Sequence, residues 1–588
     1  MKLDTAPKPA PTLPDWYPAW TKELAELYYS GTINTFVLHG NVHDLVRGQR
    51  NGGPGYVSLG DFLATQVFGA WDVALGYDLG RGLRALAGDD RARLQAIMQY
   101  LSGIIGGPAG WSRDPDKALD LVEGILNRNL LEDNLAERKR IALIFEHAQF
   151  LLPAGDLQAQ ARSQAARLVR FLGWAANPYI KRLNMAFCLI TEKLSELSER
   201  LVNSPNVAAI EIPLPTAAER RDFISAAVGD GAATKLAGMT VEGVAQNAAG
   251  LSLVNLNVLL AQGGNQGLAL GPFRKLKKTM IERQCQGLVE FVEPPHTLDL
   301  LVGQPAAKAR LEEDANWISQ GKLEMAPMGY LLCGAVGTGK TFFAECYAGS
   351  IGIPCLKLRN FRSKYVGETE GNLEQVLTVL RSLGPVVVIV DEADASLGDR
   401  RADGDSGTSG RVFSMIAQQM GDTRYRGRII WMLLTCRPDL LPIDLKRQGR
   451  CEVHIPLFAP AEAGEITVML QAMAKKNKVK LAEGALPEVS PERGLSGADL
   501  ESVLLGARRK ALAAGRELVE RADLDAALDE FIPSAQGLEK ELQELAAVLE
   551  CTERSFLPTA WRERVAQPGA RAQLQERMVA IRQLIESS

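Results

Sequence analysis

The sequence predicts an α/β protein: two phosphate-loop-type modules in tandem, each a parallel sheet with a small helical lid, then a helical tail. Three observations lead there. From Gly329 onward, strand-like apolar runs alternate with segments of helical periodicity, the pattern of a parallel sheet covered on both faces. The first half repeats that order at a nearly constant spacing. A glycine-rich loop, Gly334-Ala-Val-Gly-Thr-Gly-Lys-Thr341, falls where a strand turns into a helix, and it falls in the second half only.

Taken in order, residues 1–20 are rich in Pro and Ala and are expected to be a disordered N-terminal tail. Residues 21–213 form the first α/β module, 214–290 its helical lid and 291–300 a linker. The second α/β module covers 301–457, its lid 458–533 and the helical tail 534–588. Strands of the second module are expected at Gly329–Cys333, Ile353–Leu358, Val386–Val390, Ile429–Thr435 and Val453–Leu457. Leu373, Val376, Leu377 and Leu380 mark a helix between two of them, and beyond Pro460 helices take over.

The internal repeat rests on four matches. Ile141–Ala148 lines up with Val386–Ala393 at an offset of 245, and Thr191 lies 244 before Thr435. Ile212-Pro213-Leu214 precedes Ile455-Pro456-Leu457 by 243, and Gly250-Leu-Ser252 precedes Gly494-Leu-Ser496 by 244. The first copy lacks the chemistry, however. Its opening strand, Thr35–Gly40, runs into Asn41-Val-His43-Asp44, with no phosphate-binding lysine, and Glu146-His147 stands where Asp391-Glu392 stands in the second. This degenerate module is expected not to hydrolyse nucleotide. His39 and His43 lack a third ligand and read as packed or surface residues rather than a metal pair.

Composition narrows the function classes. A chain of 588 residues exceeds one core, and 46% hydrophobic with 23% charged residues suits a globular protein rather than a disordered one. A net charge of −4 makes nucleic acid an unlikely partner. No apolar run reaches the length of a transmembrane segment, and the N-terminus has no signal core. The eight cysteines form no Cys-x-x-Cys pair, so a cytoplasmic location is expected and a structural zinc is not.

The glycine-rich loop carries the sharpest expectation. Gly334, Ala335, Val336, Gly337, Thr338 and Gly339 would turn backbone N–H groups toward the phosphates of ATP, helped by the helix N-terminus that begins near Phe342. Lys340 would reach the β- and γ-phosphates, and the Thr341 hydroxyl would hold Mg²⁺. The β-branched run Val386–Val390 delivers Asp391 and Glu392 to the C-terminal edge of the sheet. Asp391 fits a metal role, and Glu392 is placed to activate water. ATP hydrolysis follows as the expected reaction.

Beyond these motifs the second module resembles the AAA family of hexameric ATPases, over residues 301 to about 533. Val302-Gly303-Gln304 is similar to the segment that covers the adenine in that family, and Gly494-Leu-Ser-Gly497-Ala498-Asp499-Leu500 to its lid signature, which puts Gly497 and Ala498 near the nucleotide. Arg447-Gln-Gly-Arg450 resembles its two arginine fingers, which enter the neighbouring subunit's site. Tyr365 and Val366 resemble the first pore loop, which grips polypeptide. With its degenerate first module, the chain is most like the AAA group found in cyanobacteria, other bacteria and chloroplast genomes. The resemblance implies a self-assembled ring, a hexamer, that acts on a protein substrate, with one site per subunit completed in trans.

One position departs from the family. Thr435-Cys436-Arg437-Pro438 stands where Thr-Asn-Arg-Pro is usual, and a thiol bonds more weakly than an amide. Slow hydrolysis is expected, with Thr435 partly covering the role. Ser396–Gly410 reads as a polar loop containing Arg400 and Arg401. The basic clusters Arg274–Lys278 and Lys475–Lys480 lack interleaved aromatics and read as solvated faces. The tail stripe Leu538, Leu542, Leu545 and Leu549 must bury its apolar face on the lid, a neighbour or a partner. Three functions remain open: a protein remodeller or chaperone-like motor, a slow ATP-controlled assembly factor that threads nothing, and a DNA-directed motor or loader.

Overall fold

In the first half the chain forms strands β1 (Thr35–Gly40), β2 (Leu45–Arg50), β3 (Gly53–Ser58), β4 (Val73–Asp78), β5 (Gly82–Ala85), β6 (Ile141–Phe145), β7 (Met185–Ile190) and β8 (Val207–Ile212). In the second half follow β9 (Val289–Val292), β10 (Gly329–Gly334), β11 (Cys355–Leu358), β12 (Val386–Val390), β13 (Ile429–Thr435) and β14 (Val453–Leu457). The computed structural model describes residues 12–50, 53–132, 134, 137–155, 161–229, 240–263, 270–293, 296–359, 368–397, 408–533 and 537–587.

Two six-stranded sheets result, ordered β5-β4-β6-β7-β1-β8 and β9-β11-β12-β13-β10-β14. Setting aside the first strand of each, both run 2-3-4-1-5 when the strands are counted along their own module, and those pairings are all parallel. The repeat read from spacing is therefore a repeat of topology. The antiparallel edge strand differs in origin. β5 folds back from β4 as a hairpin, whereas β9 is drawn from residues assigned above to the first lid and the linker.

β6, β7, β10, β12, β13 and β14 are buried along their whole length, as strands covered on both faces must be. Their largely apolar runs are what made them legible. The register Cys333↔Thr435 and Val390↔Leu433 brings the C-terminal ends of β10, β12 and β13 side by side. Residues that follow those ends can therefore meet.

By contact the chain divides into two units, one of Met1–Ile281 with Glu370–Ser382 and one of Glu282–Thr369 with Leu383–Ser588. Within the first, Arg381 pairs with Glu211 at 3.0 Å and Lys193 donates to Asn372 at 2.9 Å. Tyr17 and Trp20 fall within the tail expected over 1–20 but are packed. The ring of Tyr17 packs edge-on against Phe62, as does that of Trp20, so apolar burial orders those residues.

Within the second unit the lid comprises helices Ala463–Lys476, Gly497–Ala513 and Arg521–Glu530. A two-residue parallel pair, Lys480–Leu481 with Leu518–Val519, joins them, where only helices were expected. The tail contributes helices Leu538–Glu550, Thr559–Ala566 and Ala570–Ser587. Leu542, Leu545, Val548, Leu574 and Ile581 bury together, and Phe556 inserts into the core of the second sheet. Leu542 and Leu545 of the expected stripe are thus buried within this unit and Leu549 partly so, whereas Leu538 stays exposed.

Candidate active site

The glycine loop starts at the end of β10 and ends at the helix Lys340–Ile351. Two glycines are required by space as well as by backbone. A Cβ on Gly334 would sit 2.2 Å from the Leu457 carbonyl oxygen, and one on Gly337, whose φ is +83°, 2.4 Å from the Ser496 hydroxyl. Gly337 also accepts a hydrogen bond from the Ala498 N–H at 3.1 Å, joining loop to lid. The lid residues at that junction are held by a capping box in which Ser496 and Asp499 satisfy each other's backbone N–H groups.

Between loop and lid lies a cavity of about 380 Å³. Of the residues singled out in sequence, Val302, Gly337, Thr338, Gly339, Lys340, Thr341, Phe342, Gly497 and Ala498 line it. Gly303 abuts it, since a Cβ there would meet the carboxylate of Glu465, a lining residue. Gly334 and Ala335, both buried, and the exposed Val336 precede the lining residues in the loop. Sequence reasoning missed the apolar end of the cavity, formed by Leu300, Leu301, Phe458, Met469 and Met473. Lys476, read in the sequence as part of a solvated basic face, instead lines the cavity, its ammonium 4.7 Å from the Phe342 ring centroid. No local motif marks these residues, because they converge from separate elements.

Asp391 and Glu392 follow β12. The Asp391 carboxylate accepts from the Thr341 hydroxyl at 3.3 Å and pairs with Lys357 at 2.7 Å. Lys357, on β11, was not foreseen. The periodicity of that strand gave its fold but not its direction toward Asp391. Glu392 is exposed and takes a left-handed backbone, φ +48°. Lys340 donates to the Gly334 and Ala335 carbonyls at 2.9 and 3.0 Å, folded into its own loop.

Thr435 is buried, donates to Asp394 at 2.6 Å and accepts the Arg437 N–H at 2.8 Å. Its hydroxyl faces the segment after β12 rather than the cavity. Arg447 and Arg450 do not line their own chain's cavity. Arg447 is half-exposed beside Asp444 at 3.4 Å. Arg450 donates to the Asp444 carbonyl at 2.7 Å, and its Nε is buried without a hydrogen-bond partner. Burial, and then the neighbouring Arg447 charge, lower its pKa. Tyr365 and Val366 lie outside the described residues, as do Arg400 and Arg401.

The first unit has its own side chains at the equivalent places. His147 takes φ +54°, matching Glu392, which lies 245 positions later. Beside it, Glu146 pairs with Arg81 and, at 2.8 Å, with Arg84. Asp44 is buried and accepts from the Leu253 and Val254 N–H groups, both at 2.9 Å, from Leu45 N–H at 2.9 Å and from Asn41 at 2.8 Å. Leu253 and Val254 are the counterparts of Gly497 and Ala498 at the offset of 244. A carboxylate of the chain itself thus sits on the first lid helix, where N–H groups suit an anion. His43 stacks on His147, with ring centroids 5.4 Å apart.

Comparison with known proteins agrees with this division. Residues 8–213 match the family model for the AAA+ chaperone N-terminal Rossmann-like domain, and 218–286 that for the AAA+ chaperone second helical domain. Residues 330–458 match the model for the ATPase family associated with various cellular activities, AAA. An ATP-dependent zinc metalloprotease FtsH from Hahella chejuensis is 28% identical over 278 residues, covering 45% of this chain and 43% of its own. A cell division cycle protein 48 homologue from Archaeoglobus fulgidus is 30% identical over 198 residues, 33% of this chain and 26% of its own. An uncharacterized AAA domain-containing protein ycf46 from Trieres chinensis is 32% identical over 216 residues, 36% of this chain and 42% of its own. The aligned region spans about half or less of the length of such relatives.

Proposed function

From the premise that this chain is an ATPase built of AAA+ domains, with one AAA module and one degenerate module, we propose that it works as an oligomeric protein remodeller, a hexameric ring with one active site per subunit. The observation that carries this is that Lys340 and Thr341 line one cavity with Gly497 and Ala498, and that Thr341 donates to Asp391. Glycines whose Cβ positions are already taken, an apolar end with an aromatic ring and a cationic loop suit a nucleoside triphosphate. The hydroxyl and carboxylate of Thr341 and Asp391 are hard oxygen donors and suit Mg²⁺, which they would hold. Held by these two residues, the metal would supply positive charge to offset that of the triphosphate.

The remaining chemistry belongs to the chain. Lys340 leaves its two carbonyl partners to bind phosphate, and Glu392 orients a water and takes its proton. Val302 and Gly303 cover the base. Arg447 and Arg450 reach a neighbour's γ-phosphate. Their absence from their own cavity supports this reading, and such a finger is worth on the order of 10³–10⁵ in rate. Thr435, held by Asp394, orders the segment that carries Cys436. Tyr365 and Val366 grip the polypeptide. The cytoplasm is the proposed location. No helix among the described residues is long and apolar enough to cross a membrane.

Replacing Glu392 with Gln tests the catalytic assignment. Turnover should fall by on the order of 10² or more, as for loss of a general base, while ATP stays bound and the ring persists on sizing. Turnover near wild type would refute it. A second reading, an ATP-controlled assembly factor without threading, is favoured by the commitment of the Thr435 hydroxyl to Asp394 beside a thiol. Replacing Tyr365 with Ala separates the two. Loss of remodelling with ATPase retained supports threading, and retention of both supports the switch.

A further inference from the structure

The tail helix Leu538–Glu550 touches three parts of the ATPase machinery in succession. Near its start, the Lys540 ammonium donates to the Gly494 carbonyl of the lid at 2.6 Å. One turn on, the Gln543 side-chain carbonyl accepts the Val336 N–H of the phosphate loop at 3.0 Å. At its end, Glu550 accepts from Lys446 at 2.9 Å. Positions 540, 543 and 550 share one face of the helix, since three and seven residues are close to whole turns. The helix is therefore a strut with fixed spacing between its contacts.

Glu550 is the contact no motif explains. Lys446 directly precedes Arg447 and also donates to the Pro438 carbonyl at 2.9 Å, in the segment that carries Cys436. The other side of Glu550 faces His454 on β14, whose Nδ1 lies 3.0 Å from the Glu550 carbonyl oxygen. Both side chains of the Lys446–Glu550 pair are mostly buried, 13% and 20% exposed, so the pair holds its geometry where a surface pair would not. Arg447, by contrast, is half-exposed and pairs with the exposed Asp444.

We propose that Glu550 is a positioning residue for the Arg447–Arg450 pair: through Lys446 it sets where the two guanidiniums stand relative to the phosphate loop that the same helix grips. This deepens the trans-acting role proposed above and rests on it. It also places the effect of Glu550 in the neighbouring subunit's site rather than its own. A displacement of about 1 Å in a catalytic group can cost on the order of 10²-fold in rate.

The test uses full-length protein. Glu550→Ala should lower turnover on the order of ten- to a hundredfold with the KM for ATP little changed, and Glu550→Gln, which keeps an oxygen acceptor, should recover most of it. Protomers carrying Glu550→Ala are then mixed with an excess of Glu392→Gln protomers, which have sound arginines but no base of their own. Turnover is normalised to the same mixture made with wild-type protomers. Rescue is the expected result, because each Glu550→Ala site now receives well-placed arginines, and a merely misfolded subunit would not be rescued. The parallel mixture with Arg447→Ala, Arg450→Ala protomers calibrates the experiment. If that mixture is rescued and the Glu550→Ala one is not, the positioning role is overturned and the trans arginines stand. If neither is rescued, the trans reading falls and this inference with it. Should Glu550→Ala fail to fold, Lys446→Met breaks the same contact from the other side and is judged by the same outcomes.

Discussion

Glu392 and His147 occupy the left-handed backbone region, which costs a residue with a side chain on the order of 1–3 kcal/mol. A turn that retains this cost in both modules follows from the shared strand end, whatever side chain it carries. In the second module the turn leaves Glu392 exposed, next to Asp391. Gly337 is the opposite case, a position where only hydrogen fits. Gly337→Ala should weaken ATP binding about five- to thirtyfold, since a methyl at φ +83° must displace the Ser496 hydroxyl or the loop, at a cost of about 1–2 kcal/mol. Titration with a fluorescent nucleotide checks it. An unchanged affinity would mean that the loop relaxes freely.

At the scale of elements, β6, β12, β13 and β14 were legible because a strand buried on both faces must be apolar throughout. The loop and its acidic partner were legible because phosphate chemistry needs glycines, a lysine and a hydroxyl at set spacing. β9 was not, because four residues at a sheet edge, one buried and three half-buried, are too few to show a periodicity. Lys357 and Lys476 were not, because their partners lie in other elements. Nor could the tail be placed, since an amphipathic stripe states that it is covered but not by what. Asp44 belongs to the same class. Its role depends on Leu253 and Val254, more than 200 positions away. Asp44→Ala should destabilise the first lid by about 1–3 kcal/mol, the cost of leaving buried N–H groups unpaired. Amide exchange should accelerate at Leu253 and Val254, with or without ATP. Exchange as slow as in the wild type would show that the lid is held by other contacts.

At the scale of the whole molecule, one module has a cavity lined for triphosphate and the other fills its corresponding positions with Asp44, Arg81 and Arg84. The expected stoichiometry is therefore one ATP per chain. Calorimetric titration should give that value, and two equal sites would contradict the role assigned to Asp44. A single site completed by a neighbour's arginines, as proposed, would also make activity collective. Turnover per chain should fall on dilution as rings dissociate, because assembly obeys mass action. The Arg447→Ala, Arg450→Ala double variant should be slower by on the order of 10³ or more and insensitive to dilution, with ATP affinity retained because neither arginine lines its own cavity. Measuring turnover across a hundredfold range of concentration, with ring content followed by light scattering, distinguishes this from a self-sufficient site. Constant turnover per chain through the dissociation range would place the whole reaction within one subunit, and Arg447 and Arg450 would then be ordinary surface charges.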